Sequence, residues 1–326
     1  MIEWFHMIDL SDIEDARASI RDEVKKTPLV RSQYLSSLTG SDVYLKLENL
    51  QVTNAFKIRG ALNKMMHLTA EEKARGVIAA SSGNHAQAVA VGAEKLNLTA
   101  TVVVPETTPK IKVEKIRKHK VELILHGAMY DLAEEYAWRL AKEKGLTFIS
   151  SYNDPLVVAG QGTVGLEILE ELPNADSIIV PVSGGSVLSG VAVAAKSIKP
   201  DIEILGAQPE NAAAMYYSLK AGKIIQMEMK NSVADALVGN NEEGCITFEL
   251  IQRYVNEILL FDEKTIRRMI RLLWEKERQV AEGAGAVSVA PITSTPKRFA
   301  QRRTIAVITG GNIDDTVLQD VLAAAT

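Results

Sequence analysis

Four polar or glycine-rich stretches interrupt a chain that otherwise consists largely of apolar runs. They are residues 54–60 (NAFKIRG), 81–85 (SSGNH), 183–186 (SGGS) and 309–312 (TGGN). We expect each of them to lie just after a strand, which is where open α/β sheets bind their ligands. These four stretches are therefore the candidate functional residues.

The first stretch contains a lysine between two apolar neighbours, Phe56 and Ile58. A lysine in such surroundings loses part of the solvation of its ammonium group, and its pKa falls. The neutral amine can then attack a carbonyl group and form a Schiff base. Considered alone, Lys57 has a more ordinary interpretation, because most lysines beside apolar residues extend to solvent.

The other three stretches suit anions or a ring nitrogen, and each also has a structural interpretation. The hydroxyls, amide and backbone N–H groups of residues 81–85 suit a carboxylate, or they form a turn and a helix cap. The small residues at 183–186 let backbone amides approach a phosphate, but their spacing matches neither a Walker loop nor a dinucleotide fingerprint. Thr309 has a hydroxyl for a heterocyclic nitrogen, or it caps a helix beginning near Asp314.

Two pairs of residues have the spacing of a capping box and predict helix starts. They are Ser11 with Glu14, and Thr69 with Glu72. The second helix is expected to end at Gly76 and to be followed by a strand at residues 77–80. Helices are then predicted to begin near Ala86 and at Val187, after the second and third candidate stretches.

Two stripes of apolar residues recur at helical spacing and predict helix faces that pack into a core. One comprises Met129, Leu132, Ala133, Tyr136 and Leu140, before Gly145. The other comprises Ile266, Met269, Ile270 and Leu273, after a helix cap at Asp262.

An apolar run at residues 101–104 predicts a strand that ends at Pro105. Continuous apolar runs at residues 178–182, 202–207 and 305–308 predict strands that are covered on both faces. Strands of this kind, alternating with helices, are typical of parallel sheets between two helical layers. The predicted fold class is therefore α/β, a three-layer parallel-sheet fold. A length of 326 residues predicts two lobes.

Composition and charge exclude several classes of function. A net charge of −4, with no run of lysine or arginine, does not favour nucleic acid or anionic lipid as a partner. The single cysteine, Cys245, cannot form an intrachain disulfide, and no long apolar segment indicates secretion or a membrane span. We therefore expect a cytoplasmic protein. An HExxH motif, a Cys/His cluster and a GxSxG elbow are all missing from the sequence.

Taken together, the four stretches resemble the fold-type II pyridoxal phosphate enzymes, and in particular the threonine/serine dehydratase and serine racemase family. The resemblance extends from about Ile13 to Leu318. It includes KTPLV at 26–30, YLKLENLQ at 44–51, AFKIRGA at 55–61, SSGNHAQA at 81–88, NDPLVVAGQGTVGLEIL at 153–169, EGAGA at 282–286 and TGGN. It implies a fold like that of the tryptophan synthase β chain.

The resemblance also implies roles for individual residues. Lys57 would be the Schiff-base lysine, Phe56 would lie against the pyridine ring, and Asn84 would bond the 3-oxygen. The remaining cofactor-binding residues would be Ser183, Gly184, Gly185 and Ser186 around the phosphate, Thr309 at the pyridine nitrogen, and Glu282. The substrate-binding residues would be Ser81, Ser82, Gly83 and His85 around the carboxylate, with Asn54 on the substrate side. Ser82 matches the acid/base of the racemases, on the face of the cofactor opposite Lys57.

The function implied is β-elimination of a β-hydroxy amino acid such as threonine or serine, giving a 2-oxo acid and ammonia. A neutral partner at Thr309 would not hold the pyridine nitrogen protonated, which favours rapid elimination. Two alternatives stay open: an amino-acid racemase with side elimination, and a catalytically silent homologue that binds pyridoxal phosphate. Asn54 and Ala55 replace the usual glycine–serine pair before the lysine, so the preferred substrate is open, from serine to bulkier or acidic 3-hydroxy analogues.

The resemblance further implies a homodimer with two domains. The large cofactor domain would comprise residues 1–65 and 150–326, and the small substrate-closing domain residues 66–149. In metal-activated relatives, a glutamate and an aspartate bind a divalent cation where this chain has Gln208 and Ala214. Because hard cations prefer charged carboxylates, we expect no metal.

Overall fold

The structure is a computed structural model that describes residues 7–324. Its strands are β1 Leu29–Arg31, β2 Asp42–Lys46, β3 Val77–Ala80, β4 Ala100–Val104, β5 Glu122–Leu125, β6 Thr147–Phe148, β7 Ser177–Pro181, β8 Glu203–Pro209, β9 Glu257–Phe261 and β10 Arg303–Val307. Its helices are α1 Leu10–Ile20, α2 Gln33–Thr39, α3 Lys57–Met66, α4 Ala70–Arg75, α5 Asn84–Leu96, α6 Lys110–Arg117, α7 Tyr130–Lys144, α8 Pro155–Glu171, α9 Ser186–Ile198, α10 Ala214–Ala221, α11 Ile246–Tyr254, α12 Glu263–Glu277, α13 Gly283–Ala286, α14 Ala290–Ser294 and α15 Asp315–Ala323. Short 3₁₀ turns lie at Glu48–Leu50, Glu210–Ala212, Asp235–Leu237, Val287–Val289 and Pro296–Phe299.

A six-stranded sheet with the order β1-β2-β10-β7-β8-β9 carries three of the apolar runs predicted as strands. Its neighbouring strands are parallel, except that the edge strand β1 is antiparallel to β2. Ile179 packs with α12 on one face, while Ile178 and Val180 pack with α9 on the other. Helices therefore cover both faces, which confirms the predicted three-layer α/β architecture.

A second, four-stranded sheet has the order β5-β4-β3-β6 and is parallel throughout. It too has helices on both faces. Val77 and Ala79 of β3 pack with residues of α3 and α5, whereas Ile78 and Ala80 pack with α7. All four of these β3 residues are buried, as expected for a strand between two helical layers.

One of the two predicted capping boxes is present and the other is wrong. Thr69 Oγ1 accepts a hydrogen bond from Glu72 N at 3.2 Å, and Glu72 Oε2 accepts from Thr69 N at 2.8 Å. At α1, however, the cap is Asp9, which pairs with Asp12, and not Ser11 with Glu14. Asp9 has the same spacing to a carboxylate, and its own negative charge is favourable at the helix N-terminus.

The two predicted helix faces also differ in outcome. Ile266, Met269, Ile270 and Leu273 of α12 are buried, and Asp262 caps that helix as predicted. For α7 the prediction is partly wrong, because Met129 is 58% and Leu132 44% exposed. The buried face of α7 comprises Ala133, Ala137, Leu140 and Ala141. The small alanine side chains allow this helix to lie close to β3, and larger side chains on that face would hold it away.

Close packing between α3 and α8 positions the N-terminus of α3. A Cβ on Gly60 would lie 2.6 Å from the carbonyl oxygen of Val157, and one on Gly160 would lie 2.7 Å from Gly60 Cα. Only glycine permits backbones to approach so closely. Because α3 begins at Lys57, this contact helps to fix the position of the candidate lysine. Within residues 7–324, none of the helices combines the length and apolar character needed to cross a bilayer.

Candidate active site

Lys57 lies beside the N-terminus of α9. Its Nζ donates a hydrogen bond to the carbonyl oxygen of Ser151 at 2.7 Å. Ser186 Oγ, from the first residue of α9, donates to the same oxygen at 3.3 Å. Because both groups share one acceptor, the structure brings the first and third candidate stretches together.

The surroundings of Lys57 favour its neutral form more than water does. Burial lowers the pKa of Lys57 from 10.5 to about 8. The Phe56 ring lies on one side, with its centroid 5.1 Å from Nζ. An appreciable fraction of neutral amine is therefore present near neutral pH, as nucleophilic attack on a carbonyl requires.

The second stretch forms an open helix N-terminus. Helix α5 begins at Asn84, two residues before the predicted start near Ala86. Its N-cap residue is Gly83, so no side chain caps this helix. Gly83 N itself donates to Ser81 Oγ at 3.2 Å. The purely structural interpretation as a side-chain helix cap therefore does not apply. The first N–H groups of α5 have no intrahelical acceptor and can bind an anion.

The side chains of His85 and Ser82 differ in what they offer to a ligand. His85 is buried, its Nε2 lies 2.8 Å from the Ile149 carbonyl oxygen, and burial lowers its pKa to about 3. The ring is thus neutral, and Nε2 carries the proton that it donates to this carbonyl. Contact of His85 with a carboxylate would have to come from its backbone N–H. Ser82 is partly exposed and makes no side-chain hydrogen bond within residues 7–324.

The third stretch forms a turn at the N-terminus of α9, which begins at Ser186, one residue before the predicted start. Gly185 has φ 88° and is the cap residue, again with no side-chain cap. Two buried side chains hold the turn from outside. Thr247 Oγ1 donates to the Gly184 carbonyl at 2.7 Å, and Asn241 Nδ2 donates to the Ser183 carbonyl at 3.3 Å. The turn is held through its carbonyls, so the N–H groups at the start of this 13-residue helix stay available for an anion.

Asn84 links the second stretch to two residues far away in the sequence. Its Nδ2 donates to Glu282 Oε1 at 2.6 Å, and its Oδ1 accepts from Asn312 Nδ2 at 2.8 Å. Burial, together with the negative charge of Asp235, raises the pKa of Glu282 to about 7. These contacts fix the orientation of the Asn84 amide, and its second Nδ2 hydrogen is left for another acceptor.

The fourth stretch lies against the first. Phe56 N donates to the Thr309 carbonyl at 3.0 Å, and Gly311 N donates to the Asn54 carbonyl at 2.9 Å. Thr309 is buried, and within residues 7–324 its hydroxyl has only a long contact, 3.4 Å, to the Ala284 carbonyl. That hydroxyl does not cap α15, because Asp314 does so. Asn54 is exposed and has φ 55°, a left-handed conformation that asparagine tolerates better than most residues.

Several residues of this region were not among the predicted site residues. They are Ser151, Tyr152, Asn241 and Thr247. The run SSYND at 150–154 directly follows the apolar end of β6, which is the same signal that indicated the other stretches. Asn241 and Thr247 lie in and after a loop with no comparable signal.

Gln208 and Ala214, the two positions at which we expect no metal ligand, are both buried. Gln208 Oε1 accepts a hydrogen bond from Tyr216 N at 3.2 Å, and Ala214 begins α10. Gln208 Nε2 has no hydrogen-bond partner in the part of the chain that the structure describes. Gln208 thus supports the start of α10 through its oxygen.

These residues fit pyridoxal phosphate. Two helix N-termini without side-chain caps suit two anions, the phosphate of the cofactor and the carboxylate of an amino acid. A partly buried lysine of lowered pKa lies next to one of them. Asn84 has a hydrogen to donate, and the Thr309 hydroxyl has no short hydrogen bond to any residue that the structure describes.

Comparisons with known proteins agree with this fit. The family model described as pyridoxal-phosphate dependent enzyme matches residues 20–310. The L-threonine ammonia-lyase of Thermotoga maritima is 44% identical over 316 residues, which are 97% of this chain and 78% of that protein. The catabolic L-threonine dehydratase TdcB of Staphylococcus aureus is 41% identical over 321 residues, 97% of this chain and 92% of that protein.

Among solved structures, maize serine racemase superposes with a TM-score of 0.91 at 34% identity, and 97% of each chain is covered. Both the predicted fold and the predicted cofactor chemistry are confirmed by these matches. The chain therefore belongs to the family of pyridoxal-phosphate dependent enzymes.

Proposed function

We propose that this chain is an ammonia-lyase that converts a β-hydroxy amino acid, threonine or serine, into a 2-oxo acid and ammonia. The observation that carries the proposal is the position of Lys57, a partly buried amine of lowered pKa that shares the Ser151 carbonyl oxygen with Ser186 at the open N-terminus of α9. The names of the relatives, L-threonine ammonia-lyase and L-threonine dehydratase, support the choice of substrate.

We assign the cofactor contacts as follows. The turn at 183–186 and the N-terminus of α9 would hold the phosphate, Phe56 would pack against the ring, and Thr309 would lie at the ring nitrogen. Asn84, which Glu282 orients, would donate to the 3-oxygen. When bound, pyridoxal phosphate supplies a conjugated acceptor for the electrons of the Cα–H bond.

The chain itself positions the substrate and moves the proton. The N–H groups at the start of α5, with Ser81, Ser82, Gly83 and His85, bind the carboxylate of the amino acid. Asn54 lies on the substrate side. Lys57 Nζ takes the proton from Cα, and the carbonyl oxygen of Ser151 stabilises the resulting ammonium as a hydrogen-bond acceptor. Loss of the β-hydroxyl gives an enamine, which water hydrolyses to the 2-oxo acid and ammonia.

The test is to incubate the purified enzyme with a panel of β-hydroxy amino acids and to measure release of 2-oxo acid. We expect turnover of threonine or serine. An enzyme that contains the cofactor but releases no 2-oxo acid from any member of the panel would refute the proposal. Such a result would favour the catalytically silent alternative.

A racemase is the second candidate, and Ser82 is the observation that favours it. Its hydroxyl makes no hydrogen bond within residues 7–324 and so is free to exchange a proton. The similarity to maize serine racemase supports this alternative. Chiral analysis of the recovered amino acid separates the two functions, because a racemase returns both enantiomers and a lyase returns only the unreacted one.

We further propose a cytoplasmic homodimer whose small domain comprises residues 66–149, between the two parts of the large domain, 1–65 and 150–326. The location of β3, β4, β5 and β6 in one sheet supports these boundaries. Light scattering at known concentration tests the dimer. Limited proteolysis tests the boundaries, because linkers between domains are cut first.

A further inference from the structure

Two bridges join the parts of the chain that form the two sheets, on the Asn84 side of the cofactor site. The inner bridge is the hydrogen bond from Asn84 Nδ2 to Glu282 Oε1, at 2.6 Å. The outer bridge is an ion pair, in which Lys112 Nζ donates to Asp235 Oδ2 at 2.8 Å. Asn84 and Lys112 lie between strands of the four-stranded sheet, whereas Asp235 and Glu282 lie between strands of the six-stranded sheet. Both bridges therefore connect the same two parts of the molecule.

On the four-stranded side, packing connects Lys112 to Asn84. Lys112 lies on α6, and Asn84 is the first residue of α5. Ile116 of α6 and Ala86 of α5 are buried and belong to the same apolar cluster. Ile116 lies about one helical turn from Lys112, and Ala86 lies in the first turn of α5 with Asn84. A shift of α6 at Lys112 would therefore move the start of α5.

On the six-stranded side, a close backbone contact connects Asp235 to Glu282. Asp235 follows Ala234, which is buried. A Cβ on Gly283 would lie 2.8 Å from Ala234 N, so the backbone at Gly283 packs directly on the segment that carries Asp235. Gly283 in turn follows Glu282 in the chain. The residues of the outer and inner bridges are thus held together on this side as well.

A cavity of about 340 Å³ is lined by residues of both bridges, among them Lys112, Asp235 and Glu282. Because side chains do not fill this space, packing does not set the distance between α6 and the turn at Asp235 at this point. The ion pair sets it instead. Its side chains are 31% exposed at Lys112 and 60% exposed at Asp235, so water and salt weaken the pair and its contribution is modest.

We propose that Lys112 and Asp235 form a positioning pair for catalysis, which keeps the Asn84 amide aligned with the 3-oxygen of the cofactor. The pair acts through α6 and α5 on one side and through Gly283 on the other, and not by contact with the reacting atoms. This inference rests on the proposed function, because the contact of Asn84 with the 3-oxygen is part of that proposal.

The effect of the pair on Glu282 distinguishes positioning from charge. Burial and the negative charge of Asp235 raise the pKa of Glu282. The hydrogen bond from Asn84 and the positive charges of Lys112 and Lys115 lower it. Removal of the charge of Asp235 and removal of the charge of Lys112 should therefore shift the ionisation of Glu282 in opposite directions. Loss of alignment, in contrast, follows from either substitution.

The experiment is a double-mutant cycle in the holoenzyme, with kcat/KM for L-threonine measured as 2-oxo acid release. The variants are Lys112→Gln, Asp235→Asn and the double variant. The matched controls are Lys118→Gln and Asp201→Asn, which change exposed residues of the same types outside the pair. An exposed ion pair changes an equilibrium by up to about fivefold, which sets the size of the effect.

We expect each single variant to lower kcat/KM by about two- to fivefold. The double variant should lose no more than either single variant, because each substitution already breaks the pair. The controls should keep the wild-type value. At about 1 M salt, which screens exposed charges, the wild type should approach the variants. Unchanged single variants, losses that multiply in the double variant, or opposite effects of the two single substitutions would overturn the proposal.

A measurement on the bound cofactor separates this proposal from the proposed function. Because the 3-oxygen belongs to the conjugated system of the cofactor, a change in its hydrogen bond alters the visible absorption and circular dichroism without any substrate. We expect the same spectral change in Lys112→Gln and Asp235→Asn, and none in the controls. If no β-hydroxy amino acid is turned over, the proposed function fails, and these spectra still test the pair. Wild-type spectra in both single variants would overturn the positioning role independently.

Discussion

Replacing Arg59 by methionine removes one charge from a buried network of four. Arg59 Nη2 and Nε donate to the two oxygens of Glu48, each at 2.8 Å, and Nη1 donates to Glu167 Oε1 at 2.7 Å. Lys46 Nζ contacts Glu167 Oε2 at 2.6 Å, and the hydroxyl of Thr27 donates to Glu48. The two cations balance the two carboxylates. After the substitution, Lys46 alone faces both.

The cost of this substitution is set by burial. The Arg59 side chain is 1% exposed and that of Glu48 0% exposed. Removing one partner of a buried ion pair typically costs about 3–5 kcal/mol, because the remaining charge stays out of water without compensation. We expect the Arg59→Met variant to lose about 4 kcal/mol of unfolding free energy at neutral pH.

An exposed pair of similar geometry serves as the control. Arg31 Nε lies 2.8 Å from Asp42 Oδ1, but these side chains are 47% and 42% exposed. The same replacement, Arg31→Met, should cost less than about 1 kcal/mol. Urea unfolding followed by circular dichroism gives both values under identical conditions.

The pH dependence of the unfolding free energy tests whether the ionised Glu48 causes this loss. Burial acts to raise the pKa of Glu48, but the charge and hydrogen bonds of Arg59 outweigh it, so the pKa of Glu48 is lowered. A carboxylate with a lowered pKa stabilises the fold above its unfolded value of 4.5, and this contribution is lost as the pH falls. The difference between wild type and Arg59→Met should therefore shrink below pH 4.5. Equal losses for Arg59→Met and Arg31→Met, or a difference independent of pH, would refute the reasoning.

Three further predictions concern the site. Folding raises the pKa of Glu282 from 4.5 to about 7, so ionisation of this carboxyl opposes folding. The unfolding free energy should therefore fall by about 3 kcal/mol as the pH rises from 4.5 to 7. In urea titrations at several pH values, Glu282→Gln should remove most of this fall. Activity should be insensitive to EDTA and to added Mg²⁺ or Ca²⁺, because Gln208 and Ala214 lack charged oxygen ligands; a severalfold reversible loss on chelation would contradict this. Lys57→Ala should abolish elimination, whereas Ser82→Ala should mainly reduce racemisation. Equal loss of both activities in Ser82→Ala would show that Ser82 does not act on the opposite face of the cofactor.

The parts of the fold that could be predicted are those with a local signal. The strand at 77–80, the turn at 183–186 and the cap at Asp262 each depend on neighbouring residues alone, through apolar runs, small residues and capping chemistry. Three of the four site stretches follow the carboxyl ends of the parallel strands β3, β7 and β10, as predicted. For residues 54–60 that prediction is wrong, because β2 ends at Lys46 and the 3₁₀ turn Glu48–Leu50 lies between them. The order and spacing of the four stretches then indicated the family.

The remaining features depend on contacts between distant segments. Asn84 and Glu282 are 198 positions apart, and nothing near either residue indicates the other. The predicted buried face of α7 was partly wrong, because Met129 and Leu132 fit a helical stripe as well as the alanines do. Only the close approach to β3 selects the alanine face. At α1 the difference is local instead: both Asp9 and Ser11 begin a possible capping box, and Asp9, whose negative charge is favourable at a helix N-terminus, is the cap.

The most direct test of the account is the location of the cofactor. The purified holoenzyme is treated with borohydride, which makes the link between cofactor and lysine permanent, and its peptides are then mapped by mass spectrometry. We expect pyridoxal phosphate on Lys57, because its amine lies beside the N-terminus of α9 and has its pKa lowered to about 8. Label on another lysine, or protein without cofactor, would contradict the assignment of the site.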